Sequence, residues 1–178
     1  MPYSVNIRSD DASSANIRLL WDRCALLEPV ASMRSLQYPP HITLAIYDDI
    51  SREVLVNAFD TVVEGVPPLT VRFDSLGYFD GPHAIVLWAK PTLPPEFADF
   101  HSGIHAFIGV ESCRQNYRPG NWMPHCTLAT EVDHCRREEV IALVSQKIEA
   151  FEVKFDVADC AYFKPVEVIH EKSLSKNC

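Results

Sequence analysis

No stretch of this 178-residue chain approaches the roughly 18 apolar residues that a membrane-spanning helix needs, so no membrane contact is expected. The N-terminus, Met1-Pro2-Tyr3-Ser4-Val5-Asn6, has no basic segment leading into an apolar one. That predicts no secretory signal and a cytoplasmic protein. Basic residues are in the minority, 16 Lys and Arg against 24 Asp and Glu, for a net charge of −8. Affinity for long nucleic acids rests on neutralising phosphates with a basic stripe, and no such stripe is present. A phosphate-bearing partner is therefore expected to be small, or to be only the end of a longer chain. The six cysteines show no C-x-x-C spacing, which in a cytosolic setting points to free thiols. Most are expected in the core, with Cys178 exposed at the terminus. Neither G-x-G-x-x-G nor a G-K-[ST] phosphate loop occurs, which argues against ATP-driven ligation and against a dinucleotide cofactor.

The composition that remains, 47% hydrophobic and 22% charged, suits a globular chain of one domain or two small lobes. Tyr3–Arg8 alternates as a strand. Ile17, Leu20, Trp21, Cys24 and Leu27 recur at three- and four-residue steps, which predicts an amphipathic helix over 12–27. His41–Tyr47 reads as a strand. Ser51 is a candidate cap for a helix running through Val63, closed by Gly65, Pro67 and Pro68. Further strands are expected over 69–79 and 84–88, a helix over 94–107, and a long loop over 109–123. A strand over 125–130, a helix over 136–151 and strands over 152–162 and 166–173 complete the chain.

Pro40-His41-Ile42-Thr43-Leu44-Ala45 returns 84 residues later as Pro124-His125-Cys126-Thr127-Leu128-Ala129. Leu69-Thr70-Val71-Arg72-Phe73-Asp74 is likewise echoed by Phe151-Glu152-Val153-Lys154-Phe155-Asp156, and Gly77-Tyr78-Phe79 by Ala161-Tyr162-Phe163. Matching side chains at matching offsets predict a single bilobal domain built from two pseudo-symmetric halves, roughly 1–83 and 84–178. Side chains alternate across a strand, so His41, Thr43 and Ala45 are expected on a cleft face, with Ile42, Leu44 and Ile46 packed on a helix. The second copy divides the same way, which leaves Cys126 as a buried space-filler. Two imidazoles can serve as general base and general acid near neutral pH, and two threonine hydroxyls can donate hydrogen bonds to phosphate oxygens. Such an arrangement suits in-line displacement at phosphorus without a metal.

On these paired motifs the chain resembles the two-histidine (2H) phosphoesterase superfamily, and within it the 2′–5′ RNA ligase-like proteins and cyclic phosphodiesterases. The resemblance covers nearly the whole sequence. It implies an α+β fold, with two antiparallel sheets and outer helices around a central cleft. It also implies hydrolysis of a 2′,3′-cyclic phosphate to a 2′-phosphate, or handling of a 2′–5′ linkage, on a small phosphodiester or an RNA terminus. Carried over by position, His41 and His125 are the catalytic pair, with His125 leaning towards base and His41 towards acid, and Thr43 and Thr127 hold the phosphate. Substrate contacts are carried over to Arg118, which could pair a phosphate, and to Trp122 or Tyr38, which could stack on a base. The competing reading has Trp122 capping the core and Arg118 in solvent. No cofactor is expected, and the protein is expected to act as a monomer. A non-catalytic module that binds nucleotides or RNA ends is the alternative from another class.

Other histidines are weaker candidates. His101 and His105 stand four apart on a predicted helix, as a metal pair would. Ser102 occupies the place of the glutamate in H-E-x-x-H, so a solvated helix face is expected instead. His134-Cys135 with His125-Cys126 suggests zinc, but alternation points His125 and Cys126 apart. His83 and His170 are expected near a hairpin, at the surface.

Overall fold

The structure, a computed structural model, describes residues 2–163 and 165–175; Cys178 lies outside them. In chain order the elements are β1 (Tyr3–Arg8), α1 (Ala15–Ala25), α2 (Ser32–Ser35), β2 (His41–Tyr47), α3 (Arg52–Val63), β3 (Leu69–Asp80) and β4 (Ile85–Thr92). There follow α4 (Pro95–Ile108), β5 (Cys126–Val132), α5 (Arg137–Val144), β6 (Phe151–Phe155), β7 (Val157–Tyr162) and β8 (Glu167–Ser173). The local chemistry acts where expected. Ile17, Leu20, Trp21 and Cys24 form the buried stripe of α1. The Ser51 hydroxyl accepts the Val54 N–H at the start of α3, satisfying a donor with no partner inside the helix. Gly65 follows α3 at φ 74°, a conformation that only glycine adopts readily. Among the described residues no helix is long and apolar enough to cross a membrane.

The strands pair in the order β6-β3-β4-β5-β2-β1-β7-β8, antiparallel throughout. Four strands lie on each side of the β5–β2 junction. That junction consists of one residue pair, Ile42 with Cys126, so the two halves form a continuous but thinly joined sheet. The stretch expected as one strand over 152–162 is two, β6 and β7, separated by Asp156. β6 pairs with β3 in one half and β7 pairs with β1 in the other. A single residue spans only a few ångströms, so the sheet must curl back at the junction to bring its first and seventh strands together. Asp156 is held at that crossing, its N–H donating to Arg8 O at 3.2 Å and its carbonyl accepting from Leu174 N at 2.8 Å.

The predicted helix over 136–151 stops at Val144, where Ser145-Gln146-Lys147 supplies no apolar face; Ile148 still packs on the core from the loop. Cys24, Cys113, Cys126 and Cys160 are buried free thiols, and Cys135 is exposed.

Candidate active site

Both motif strands contain a β-bulge at their leucine. Asn6 pairs with Thr43 and Val5 with Ala45, so Leu44 is the extra residue on β2. Trp88 pairs with Thr127 and Leu87 with Ala129, so Leu128 is the extra residue on β5. A bulge reverses the alternation beyond it. Ala45 and Ala129, expected on the cleft face, are therefore fully buried. Ile46 and Thr130 take their place beside the cleft. Before the bulges the expected division holds: His41, Thr43 and Thr127 are half-buried, while Ile42, Leu44, Cys126 and Leu128 are in the core.

The two histidines are held by the same device. His41 Nδ1 lies 3.0 Å from the carbonyl of Pro39, and His125 Nδ1 lies 2.8 Å from the carbonyl of Met123. Only an N–H can bond a carbonyl, so each ring is protonated at Nδ1 and carries its free lone pair on Nε2. The rings are also wedged by aromatics. Tyr38 meets His41 edge-on at 4.8 Å, and Phe79 meets His125 edge-on at 5.0 Å with Trp88 behind them both. Burial pulls His41 down to about 4, against the Pro39 carbonyl and with help from the charge on His125. Burial lowers His125 as well, against the Met123 carbonyl. In the free protein both imidazoles are therefore neutral at pH 7.

The thinness of the junction leaves motif carbonyls to be satisfied by side chains. Trp122 donates its indole N–H to Thr43 O at 3.1 Å, and Trp21 donates its own to Thr127 O at 2.9 Å. Each tryptophan thus ties one motif strand to an element outside the sheet, Trp21 from α1 and Trp122 from the loop before β5. The hydroxyls differ. Thr43 Oγ1 donates to Asn6 Oδ1 at 2.9 Å, whereas no hydrogen bond holds the Thr127 hydroxyl among the described residues.

A cavity of about 740 Å³ opens beside His41, Thr43 and Thr127, walled by α2 on one side and by Phe163, Pro165 and Val166 on another. That size suits a small ligand. Among the described residues no lysine or arginine borders it, and neither does His125. Tyr38 reaches it, but its hydroxyl lies 2.6 and 2.7 Å from the oxygens of buried Asp159, so it braces His41 rather than standing free. Arg118 is not brought to the cleft: its guanidinium donates to Cys113 O at 2.8 Å and Glu111 O at 2.9 Å, which holds its own loop together. Trp122 also faces inward, stacked on His101 at 4.0 Å and 7°.

His101 and His105, expected in solvent, are instead 5% and 4% exposed. Both Nε2 atoms lie within reach of the Tyr117 carbonyl, at 2.9 and 3.1 Å. The pair fills the space between α4 and the loop that carries Trp122, which is why an apolar helix face tolerates it. Among the described residues no group of three metal-ligating side chains exists. His134 bonds Gly81 O, His170 pairs with Asp60 and His83 is exposed.

Four contributors lie outside the repeated motifs. Asn6 sits in an alternating strand whose polar face reads as solvated. Asp159 is the one charged residue of the apolar run 157–161, which marks it in the sequence. Trp21 and Trp88 read as ordinary core residues.

A family model described as the 2′-5′ RNA ligase superfamily matches residues 15–164. No curated protein matches the chain. Among solved structures, TT0787 of Thermus thermophilus is 17% identical, with a TM-score of 0.64 over 100% of both chains. E. coli LigT complexed with NADP+ is 14% identical, with a TM-score of 0.62 over 98% of this chain and 97% of that one. LigT complexed with 3′-AMP is 16% identical, with a TM-score of 0.61 over 99% and 100%. At these identities the structural likenesses establish the fold.

Proposed function

The chain belongs to the 2′-5′ RNA ligase superfamily, and from that premise we propose that it is a metal-independent phosphodiesterase that opens a 2′,3′-cyclic phosphate, on a nucleotide or at an RNA end, to a 2′-phosphate. The observation that carries this reading is the matched pair of imidazoles, each with Nδ1 locked to the carbonyl two residues back and Nε2 left as the reactive atom. Water attacks phosphorus and gives a proton to Nε2 of His125. The bond from phosphorus to O3′ breaks, and O3′ takes a proton from Nε2 of His41. The two imidazoles supply both proton transfers, so no metal is required. The cavity supports this assignment, since it borders His41 and gives a nucleoside room beside the acid.

The reaction needs one proton on the pair. Both histidines are neutral in the free protein, and a bound phosphodiester anion raises them, so binding and protonation favour each other. LigT has been solved with nucleotide ligands, which supports a nucleotide-bearing substrate here. The reading takes the protein to act as a cytoplasmic monomer without a cofactor.

The test is phosphorus NMR of the EDTA-treated protein with each 2′,3′-cyclic mononucleotide. A 2′-phosphate product is expected, with kcat/KM reduced about 10²–10⁴-fold in His41→Ala and in His125→Ala. No turnover by the wild type, or full turnover by either variant, refutes the proposal. Ligation of 2′–5′ ends without hydrolysis supports the other activity attached to the family.

A further inference from the structure

The two motif threonines occupy equivalent register positions but have unlike neighbours. The strand partner of Thr43 is Asn6, and that of Thr127 is Trp88. Asn6 is 2% exposed and belongs to a polar network buried along the wall of the cavity. Its Nδ2 lies 2.9 Å from Ser4 Oγ and 3.0 Å from Asp159 Oδ1. Ser4 directs its own proton to Ala161 O at 3.3 Å. Asp159 is fully buried, faces the Tyr38 hydroxyl with both oxygens, and has Arg8 Nε 3.0 Å from Oδ2. Burial pushes the Asp159 carboxyl up, against Tyr38, Asn6 and Arg8, which favour its charged form; as a carboxylate it accepts only. Turning the Asn6 amide over would set Oδ1 against that carboxylate, acceptor against acceptor, inside a site of low polarity. Asn6 Oδ1 therefore faces Thr43, and Thr43 must donate to it at 2.9 Å. Trp88 offers Thr127 no such acceptor, because its one polar atom is an N–H.

We propose that Asp159, acting through Asn6, fixes the Thr43 hydroxyl as a hydrogen-bond acceptor towards the cleft. Thr127 is then the one threonine of the pair that donates to phosphate, and Thr43 holds a proton-bearing group beside it, the hydrolytic water or a substrate hydroxyl. Asp159 and Asn6 are positioning residues. The proposal rests on the phosphoesterase reading for the ligand and departs from the expectation that both hydroxyls grip the phosphate alike.

Binding of inorganic phosphate, measured by calorimetry on the whole chain, tests it directly. Thr127→Val should weaken binding about tenfold to a hundredfold, the value of a hydrogen bond to a charged group. Thr43→Val should change it less than about threefold while lowering kcat on a cyclic nucleotide at least tenfold, and Thr43→Ser should restore kcat. Asp159→Asn lets the Asn6 amide turn over and frees the Thr43 proton. In that background Thr43→Val should cost about tenfold in phosphate affinity. If Asp159→Asn does not fold, the comparison of the two threonine variants still decides. Equal losses of phosphate affinity in Thr43→Val and Thr127→Val overturn the inference. Wild-type protein that binds phosphate but leaves cyclic nucleotides untouched overturns the proposed reaction, with the threonine comparison still deciding the inference. Wild-type protein that binds no phosphate overturns both.

Discussion

Gly77→Ala is a one-carbon change on β3, across the sheet from Trp88 and away from the motifs, and the structure predicts that it disables His125. A Cβ built on Gly77 lies 2.4 Å from two carbons of the Trp88 ring, whereas ordinary contact begins at 3.4 Å. The indole must therefore give way by about 1 Å. It is 8% exposed and is packed against Phe79 at 5.1 Å, and Phe79 in turn meets His125 at 5.0 Å. Overpacking of this kind costs about 1–3 kcal/mol, which for a chain of this length lowers Tm by roughly 2–12 °C. A misplacement of about 1 Å at a catalytic group costs on the order of 10²-fold in rate. The assay is kcat and KM on a 2′,3′-cyclic mononucleotide at a temperature well below the lowered Tm, beside a melting curve. The expected outcome is a folded protein with kcat reduced about 10²-fold. Wild-type kcat in a folded Gly77→Ala protein refutes the claim that the aromatic pair positions His125.

Two further outcomes follow from burial. Because His41 and His125 are both lowered, His41 to about 4, the singly protonated pair in the free protein is favoured in acid; kcat/KM should peak below pH 6.5, and a maximum at pH 8 contradicts this. Stability should also fall in acid. His41 and His101 both lie near 4 when folded and near 6.5 when unfolded, so protons favour the unfolded chain between these values. Stability is intact above pH 6.5 and declines towards pH 4, and a Tm that stays flat over that range contradicts the argument. Trp21→Phe keeps the buried ring but strips Thr127 O of its donor. It should destabilise by about 1–3 kcal/mol, more than Trp122→Phe, whose indole is only half-buried; equal and negligible effects in urea melts refute the role given to the indoles.

Most of the elements were legible in the sequence, and so was the candidacy of His41, Thr43, His125 and Thr127. Helix stripes such as 17-20-21-24 and the repeated Pro-His-x-Thr-Leu-Ala are local patterns, and local patterns follow from backbone periodicity and side-chain chemistry alone. The bulges at Leu44 and Leu128 could not be read this way, since an extra residue is defined only against a partner strand. For that reason Ala45 and Ala129 went to the core instead of the cleft. The split at Asp156 escaped for the same cause: an alternating run from 152 to 162 does not say that its halves pair at opposite ends of the sheet. Arg118 and Trp122 stand beside the second motif in sequence, yet their side chains turn to Glu111, Cys113 and His101. Tertiary structure alone decided how the two threonines differ, because the acceptor that directs Thr43 lies on another strand and is itself oriented by Asp159, 153 residues further along the chain. Hydrogen-bond direction in a buried network depends on every partner at once, and those partners meet only when the chain is folded.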